Sequence, residues 1–225
     1  MAEFYVVRHG QASFGARNYD KLSPLGIQQS VWLGEHFADR NISFDKLWLG
    51  EMVRHQETAQ GICSALPNPP KHSVYSGLNE FDFQNIANAY LALNPGDQVA
   101  KGSPPAAFYI LLKKAMAAWA AQALPEHELR ETWPQFRARV AVVLEAICEQ
   151  HSDTPILVVS SGGAISMLLS LVLGLGAQQV IELNMQIKNA GFSHFFYNRS
   201  QVRLSSFNNV PHLDIPERIG AVTFS

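Results

Sequence analysis

The segment Ile156-Leu157-Val158-Val159 is four consecutive apolar residues, introduced by Pro155 and closed by Ser160-Ser161-Gly162-Gly163. A run without polar alternation has no face to offer to water. It therefore reads as a central strand buried on both sides, and such strands belong to sheets covered by helices on both faces. The small residues that follow turn the chain from strand into helix, with the apolar stretch Ala164 to Gly176 as a core helix too short to span a bilayer.

Other β-rich runs lie at Glu3–Val7, Phe44–Leu49, Phe192–Tyr197 and Val202–Phe207, giving five with Pro155–Ser160, and helical patterns separate the first three in chain order. This alternation predicts an α/β fold: a mainly parallel central sheet with helices on both faces. The last two runs are close enough to form a C-terminal antiparallel edge hairpin through Asn198-Arg199-Ser200. Ser23-Pro24 is a cap followed by a first-turn proline, with Ile27, Val31, Gly34 and Phe37 as the expected inner stripe. A second amphipathic helix starts near Thr132, burying Phe136, Val140, Val143, Leu144 and Ile147. Between Pro67 and Pro105 the pattern breaks into turn clusters, after which Phe108, Leu111, Leu112, Ala115 and Trp119 mark another helix, with Trp119 as core. The expectation is one domain over residues 1–225 carrying a helical cap insertion at about 77–130.

With 225 residues, 47% hydrophobic and 16% charged, the chain can build an extensive core. A net charge of −2 offers no general attraction to nucleic acid or to an anionic membrane, so any anion site must be local. Cys63 and Cys148 stand far apart in helical patterns and read as buried thiols. The remaining histidines show no paired metal-ligand spacing, and there is no nucleotide-binding glycine loop, so no cofactor and no metal are expected. The opening Met1-Ala2-Glu3 runs straight into a strand without an export signal, which points to a cytoplasmic location.

Arg8-His9-Gly10 follows the first β-run, at the carboxyl end of a strand, where open α/β sheets bind ligands. Histidine can act as a nucleophile when its second ring nitrogen is held, arginine can fork onto phosphate oxygens, and Gly10 allows close backbone approach. Arg54 begins the helix after the second run. Ser160-Ser161-Gly162-Gly163 opens the helix after the third, with free backbone N–H groups and a positive dipole end. Three strand-to-helix turns carrying Arg, Arg and Gly-Gly on one sheet edge form an anion site.

Taken in order, Arg8-His9-Gly10, Leu22-Ser23-Pro24-Leu25-Gly26, Arg54-His55-Gln56-Glu57-Thr58-Ala59, Asn79-Glu80-Phe81, Val159-Ser160-Ser161-Gly162-Gly163 and Asn189-Ala190-Gly191 resemble the motifs of the histidine phosphatase superfamily, the phosphoglycerate mutase-like family. The resemblance implies a phosphomonoesterase working without metal through a phosphohistidine. It gives His9 the nucleophile role, Arg8 and Arg54 the phosphate clamp, and Glu80 protonation of the leaving oxygen, with Asp82 as competitor. Ser13, Ser161 and Gly162 would add contacts to the phosphate. The partner is then a phosphorylated small molecule or a phosphoprotein.

Two departures stand out. Ser161 occupies the place where the family usually has a second histidine. A hydroxyl cannot carry positive charge, and loss of such a donor can reduce turnover by roughly 10²–10³-fold. A phosphate-binding protein that has lost its chemistry is accordingly an alternative, and Ser161→His is expected to raise turnover. His55 and His194 are candidates to fill the gap, although each reads first as a helix-face or strand histidine. The mutase branch resembles Arg-His-Gly-Glu-Ser followed by Trp-Asn, whereas this chain has Gln11-Ala12-Ser13-Phe14-Gly15, which favours a phosphatase over a mutase.

Overall fold

The computed structural model describes residues 2–13, 20–100 and 102–224. Six strands make one sheet: β1 (Ala2–Arg8), β2 (Lys46–Leu49), β3 (Lys71–Val74), β4 (Ile156–Ser160), β5 (Phe192–Tyr197) and β6 (Val202–Asn209), in the order β3-β2-β4-β1-β5-β6. The pairs β1–β4, β2–β4 and β2–β3 are parallel, while β5 and β6 continue the sheet antiparallel. The expected α/β sheet with its edge hairpin is therefore present. Asn198 Oδ1 accepts from the backbone N–H groups of Ser200 and Gln201 and closes the hairpin turn.

The side chains of the central strands divide by the two-residue period of a pleated sheet. Phe4, Val6, Trp48, Ile156 and Val158 point into one core, against α5 (Trp133–Cys148) and α6 (Gly162–Leu173). Tyr5, Val7, Leu47, Leu49, Leu157 and Val159 enter the other, against Leu33 and Phe37 of α1 (Pro24–Asp39) and Ala59 and Ile62 of α2 (Val53–Ala65). All five residues of β4 are buried, as its unbroken apolar run requires. Between β3 and α5 the chain forms α3 (Phe83–Leu93) and α4 (Pro105–Ala120), which pack on one another; α7 (Ala177–Asn184) follows α6. Trp119 is a core residue, its indole N–H donating to Glu131 O at 2.9 Å.

Local signals set the helix ends. Ser23 accepts from Gly26 N at α1, Thr132 and Gln135 form a reciprocal capping box at α5, and Gly174 ends α6 with φ of 69°. Gly10 and Gly26 serve packing. A Cβ on Gly10 would lie 2.9 Å from Gly26 C, and one on Gly26 would lie 2.8 Å from Gln11 N, so only two glycines let the loop after β1 rest on the start of α1.

Two expectations need correction. The inner stripe of α1 is Gly26, Gln29, Ser30, Leu33, Gly34 and Phe37, whereas Ile27 is 48% exposed. The helix is rotated so that Gln29 can bridge distant backbone: its Oε1 accepts from Gln11 N and its Nε2 donates to Ala221 O. Strand β3 was also unanticipated. All four of its residues are exposed, and it is held by pairing with β2.

Candidate active site

Because β1, β2 and β4 run parallel, their carboxyl ends reach the same edge. The parallel register pairs Arg8 with Ser160, and His9 N donates to Ser160 O at 2.9 Å, which seats His9 beside the entrance to α6. His9 is 5% exposed. Its Nδ1 lies 2.7 Å from Gly10 O, and since a carbonyl can only accept, Nδ1 carries the proton and Nε2 keeps its lone pair. Burial first, then the charges of Arg54 and Arg8, hold the imidazole well below the ordinary histidine pKa, against the opposing Gly10 hydrogen bond. The ring is neutral at pH 7.

The backbone around His9 is fixed from several sides. Gly10 N donates to Thr58 Oγ1 at 3.0 Å, and Thr58 donates to Arg54 O at 2.7 Å, tying the loop to α2. His9 O accepts from Ala190 N at 3.2 Å and Asn189 Nδ2 at 3.3 Å. Ala190 adopts φ of 52°, a left-handed conformation that costs an L-residue about 1–2 kcal/mol, and thereby turns its N–H onto the His9 carbonyl. Asn189 is held in turn by Thr223, whose hydroxyl donates to its Oδ1 at 2.9 Å.

Arg54 sits on the first turn of α2, buried, with Nη1 at 2.9 Å from Asp20 Oδ1; the other Asp20 oxygen accepts from Val53 N at the helix start. Arg8 leaves the end of β1 with Nη1 donating to Ile187 O and, at 2.7 Å, to Phe224 O. Its Nε lies 3.6 Å from where a Cβ on Gly162 would stand. Glu80 approaches the same helix start, its Oε2 accepting from Gly163 N at 3.0 Å. The α6 N-terminus is thus flanked by Arg8 at Gly162 and Glu80 at Gly163. A Cβ on Gly163 would meet the Glu80 carboxylate and the Phe81 ring, and one on Gly162 the Asn184 side-chain amide.

The other expected residues separate. Asp82 caps α3 through Asn85 N and pairs with Arg130 at 2.8 Å. Ser13 donates to Leu22 O at 2.9 Å in the neck of its loop. Phe14 and Gly15, on which the choice between phosphatase and mutase turned, lie outside the described residues. His194 stacks on Tyr5 and bonds Glu3 at 2.9 Å, away from this edge. His55, by contrast, comes into the site: its ring centre is 5.9 Å from that of His9 and its Nε2 is 2.7 Å from Ser161 Oγ. Its sequence signal was adjacency to Arg54. Thr223 and Phe224 gave no signal, since their partners are more than thirty and two hundred residues away.

Phe81 packs on Trp119 and Phe136, and the Tyr90 hydroxyl donates to Asp97 at 2.6 Å. Among the described residues no helix is long and apolar enough to cross a membrane.

The family model of the histidine phosphatase superfamily (branch 1) matches residues 4–93 and 101–210. A curated relative, the 2,3-bisphosphoglycerate-dependent phosphoglycerate mutase of Rhizobium meliloti, is 23% identical over 187 residues, covering 80% of this chain and 83% of the relative. The alpha-ribazole phosphatase from Shigella flexneri superposes with a TM-score of 0.65 at 21% identity, covering 92% of this chain and 96% of that one. Phosphoserine phosphatase from Entamoeba histolytica, solved in complex with 3-phosphoglyceric acid, gives a TM-score of 0.60 at 20% identity, covering 95% and 100%. At these identities the solved structures establish a shared fold.

Proposed function

The chain belongs to the histidine phosphatase superfamily, and from that premise we propose that it is a phosphomonoesterase that works through a phosphohistidine on His9, without metal. The observation that carries this reading is the protonation pattern of His9. Its Nδ1–H is spent on Gly10 O, which leaves a neutral ring with an Nε2 lone pair for attack.

In the first half-reaction Nε2 attacks phosphorus. The P–N bond forms as the P–O bond to the leaving group breaks, and Glu80 delivers a proton to the departing oxygen. In the second half, water attacks phosphorus, its proton passes to the Glu80 carboxylate, and the P–N electron pair returns to Nε2. The charges of Arg8 and Arg54, which disfavour an imidazolium beside them, stabilise the anionic phosphoryl group for the same Coulombic reason. The Gly162 N–H at the start of α6 is assigned to the cradle, the N–H of Gly163 being taken by Glu80.

The substrate is a phosphate monoester. A phosphorylated small molecule and a phosphoprotein both fit, since the relatives include phosphatases of each kind. We assign substrate choice to α3 and α4 of the helical insertion at about 77–130, which lie past the Glu80 that reaches the transferred group. A mutase is the second reading, favoured by the Rhizobium meliloti relative.

The test is rapid quench with a phosphorus-labelled aryl phosphate. An acid-labile, base-stable label is expected in the wild type and not in His9→Ala; a label that survives this substitution overturns the mechanism. Phosphate release at equal rates from both proteins leaves only a phosphate-binding protein. Added 3-phosphoglycerate distinguishes a mutase, which returns the phosphoryl group to a hydroxyl in preference to water.

A further inference from the structure

Ser161 stands at the N-cap of α6, where a serine ordinarily accepts a hydrogen bond from the backbone N–H two or three residues on. It makes no such bond. Glu80 takes the N–H of Gly163, and the Ser161 hydroxyl is directed to His55 Nε2 at 2.7 Å. Both side chains are 0% exposed. His55 occupies an inward position of α2 among Arg54, Thr58, Ala59 and Ile62, where an apolar residue would bury without a polar atom to satisfy. A buried imidazole bonded to a cap that does not cap is an expensive arrangement for packing alone. Its place, 5.9 Å from the His9 ring, points to the chemistry.

We propose that His55 is a positioning residue acting through Ser161: its Nε2–H donates to Ser161 Oγ, which turns the Ser161 O–H onto the phosphoryl oxygens beside His9. The inference rests on the phosphohistidine reading above. Its direction follows from the ligand. A phosphoryl oxygen can only accept, so Ser161 must donate to it, and His55 must then donate to Ser161. Burial and the Arg54 charge lower the His55 pKa to about 3 against an opposing interaction with the Gly50 backbone, so the ring is neutral at pH 7 with a single N–H; Nδ1 faces Gly50 without a well-formed hydrogen bond, which leaves that proton to Nε2. The two side chains, from α2 and from the end of β4, together supply the donor that one imidazole at 161 would supply. No covalent bond is made by either.

This geometry revises the expectation for Ser161→His. An imidazole rooted at 161 would enter the space of the His55 ring, so that substitution alone is expected to lower turnover. Combined with His55→Ala, it gives the imidazole room and is expected to exceed His55→Ala alone.

The experiment measures the rate of His9 labelling by p-nitrophenyl phosphate at a temperature well below each variant's Tm. His55→Leu preserves the buried apolar face of α2, and His55→Gln keeps an amide N–H at similar reach. Ser161→Ala and His55→Leu are each expected to slow labelling by about 10²-fold, the scale of one lost oxyanion donor. The double variant is expected to be no slower than either single one, and His55→Gln to recover most of the rate. A purely structural role would lower Tm in His55→Leu and leave the labelling rate near wild type, which overturns the proposal. Multiplying losses in the double variant, or nitrogen NMR placing the His55 proton on Nδ1 with orthovanadate bound, would overturn it too. Failure of the wild type to take label removes the parent reading and this inference with it; normal labelling in the variants removes the inference alone.

Discussion

Replacing Gly163 by alanine should uncouple leaving-group protonation from phosphoryl binding. A Cβ at this position would fall within the radii of Glu80 Oε1 and of the Phe81 ring, whose Cδ1 lies 2.7 Å away. Phe81 Cε1 is closer still, so to regain ordinary contact at 3.4 Å either the ring or the Glu80 oxygen must withdraw by about 1 Å. Phe81 is wedged between Trp119 and Phe136, so the carboxylate yields more readily than the ring. Overpacking costs about 1–3 kcal/mol. The helix-propensity gain of Gly→Ala, about 0.4–1 kcal/mol, offsets only part of it. A displacement near 1 Å can cost about 10²-fold in rate, within the roughly 10²–10⁴-fold range of a general acid. An alkyl phosphate needs its leaving oxygen protonated and should lose about 10²-fold in kcat/KM. p-Nitrophenyl phosphate releases a stable anion and should lose less than about tenfold. The assay compares phosphate release from the two esters by wild type, Gly163→Ala and Gly96→Ala, the last being a control whose added Cβ meets nothing within 4 Å. Equal losses on both esters would refute the assignment of Glu80 as the acid, since a damaged cradle would slow them alike.

Stability should fall with acidification through His212, which is buried with no hydrogen-bond partner on either ring nitrogen. Burial, with His36 and Arg218 nearby, lowers its pKa to about 3, whereas the unfolded ring protonates near 6.5. The unfolded state therefore binds more protons below 6.5, and stability present above that pH is lost as pH falls toward 3, by about 2 kcal/mol at pH 5. His212→Leu should narrow the gap between urea midpoints at pH 7 and pH 5; an unchanged gap refutes the attribution. Thr132→Ala removes the capping box of α5 and should cost about 1 kcal/mol, or roughly 2–4 °C in Tm by calorimetry. An unaltered Tm would place that helix end's stability elsewhere.

Some of the architecture was legible because it is enforced locally. The unbroken apolar run of β4 admits only a doubly covered strand, and Ser23-Pro24 and Thr132-Trp133-Pro134-Gln135 announce helix starts by the hydrogen bonds their side chains can make. β3 was not legible. Lys71-His72-Ser73-Val74 has no buried face to create a pattern, and only the neighbouring strand makes it one. The phase of α1 was misread for a related reason. A sequence pattern equates buried with apolar, whereas Gln29 is buried to bond the loop after β1 and the chain's end.

The same division runs through the site. Arg8-His9-Gly10 following a strand, Arg54 after the second strand and the glycine pair after β4 sufficed to place these residues at one sheet edge, because parallel strands must deliver their carboxyl ends together. Which proton His9 keeps, that Asp82 is tied to Arg130 while Glu80 meets Gly163, and that His55 reaches Ser161 were settled by side-chain orientation and burial. Those properties depend on residues up to 106 positions apart in the chain, and no local periodicity encodes them.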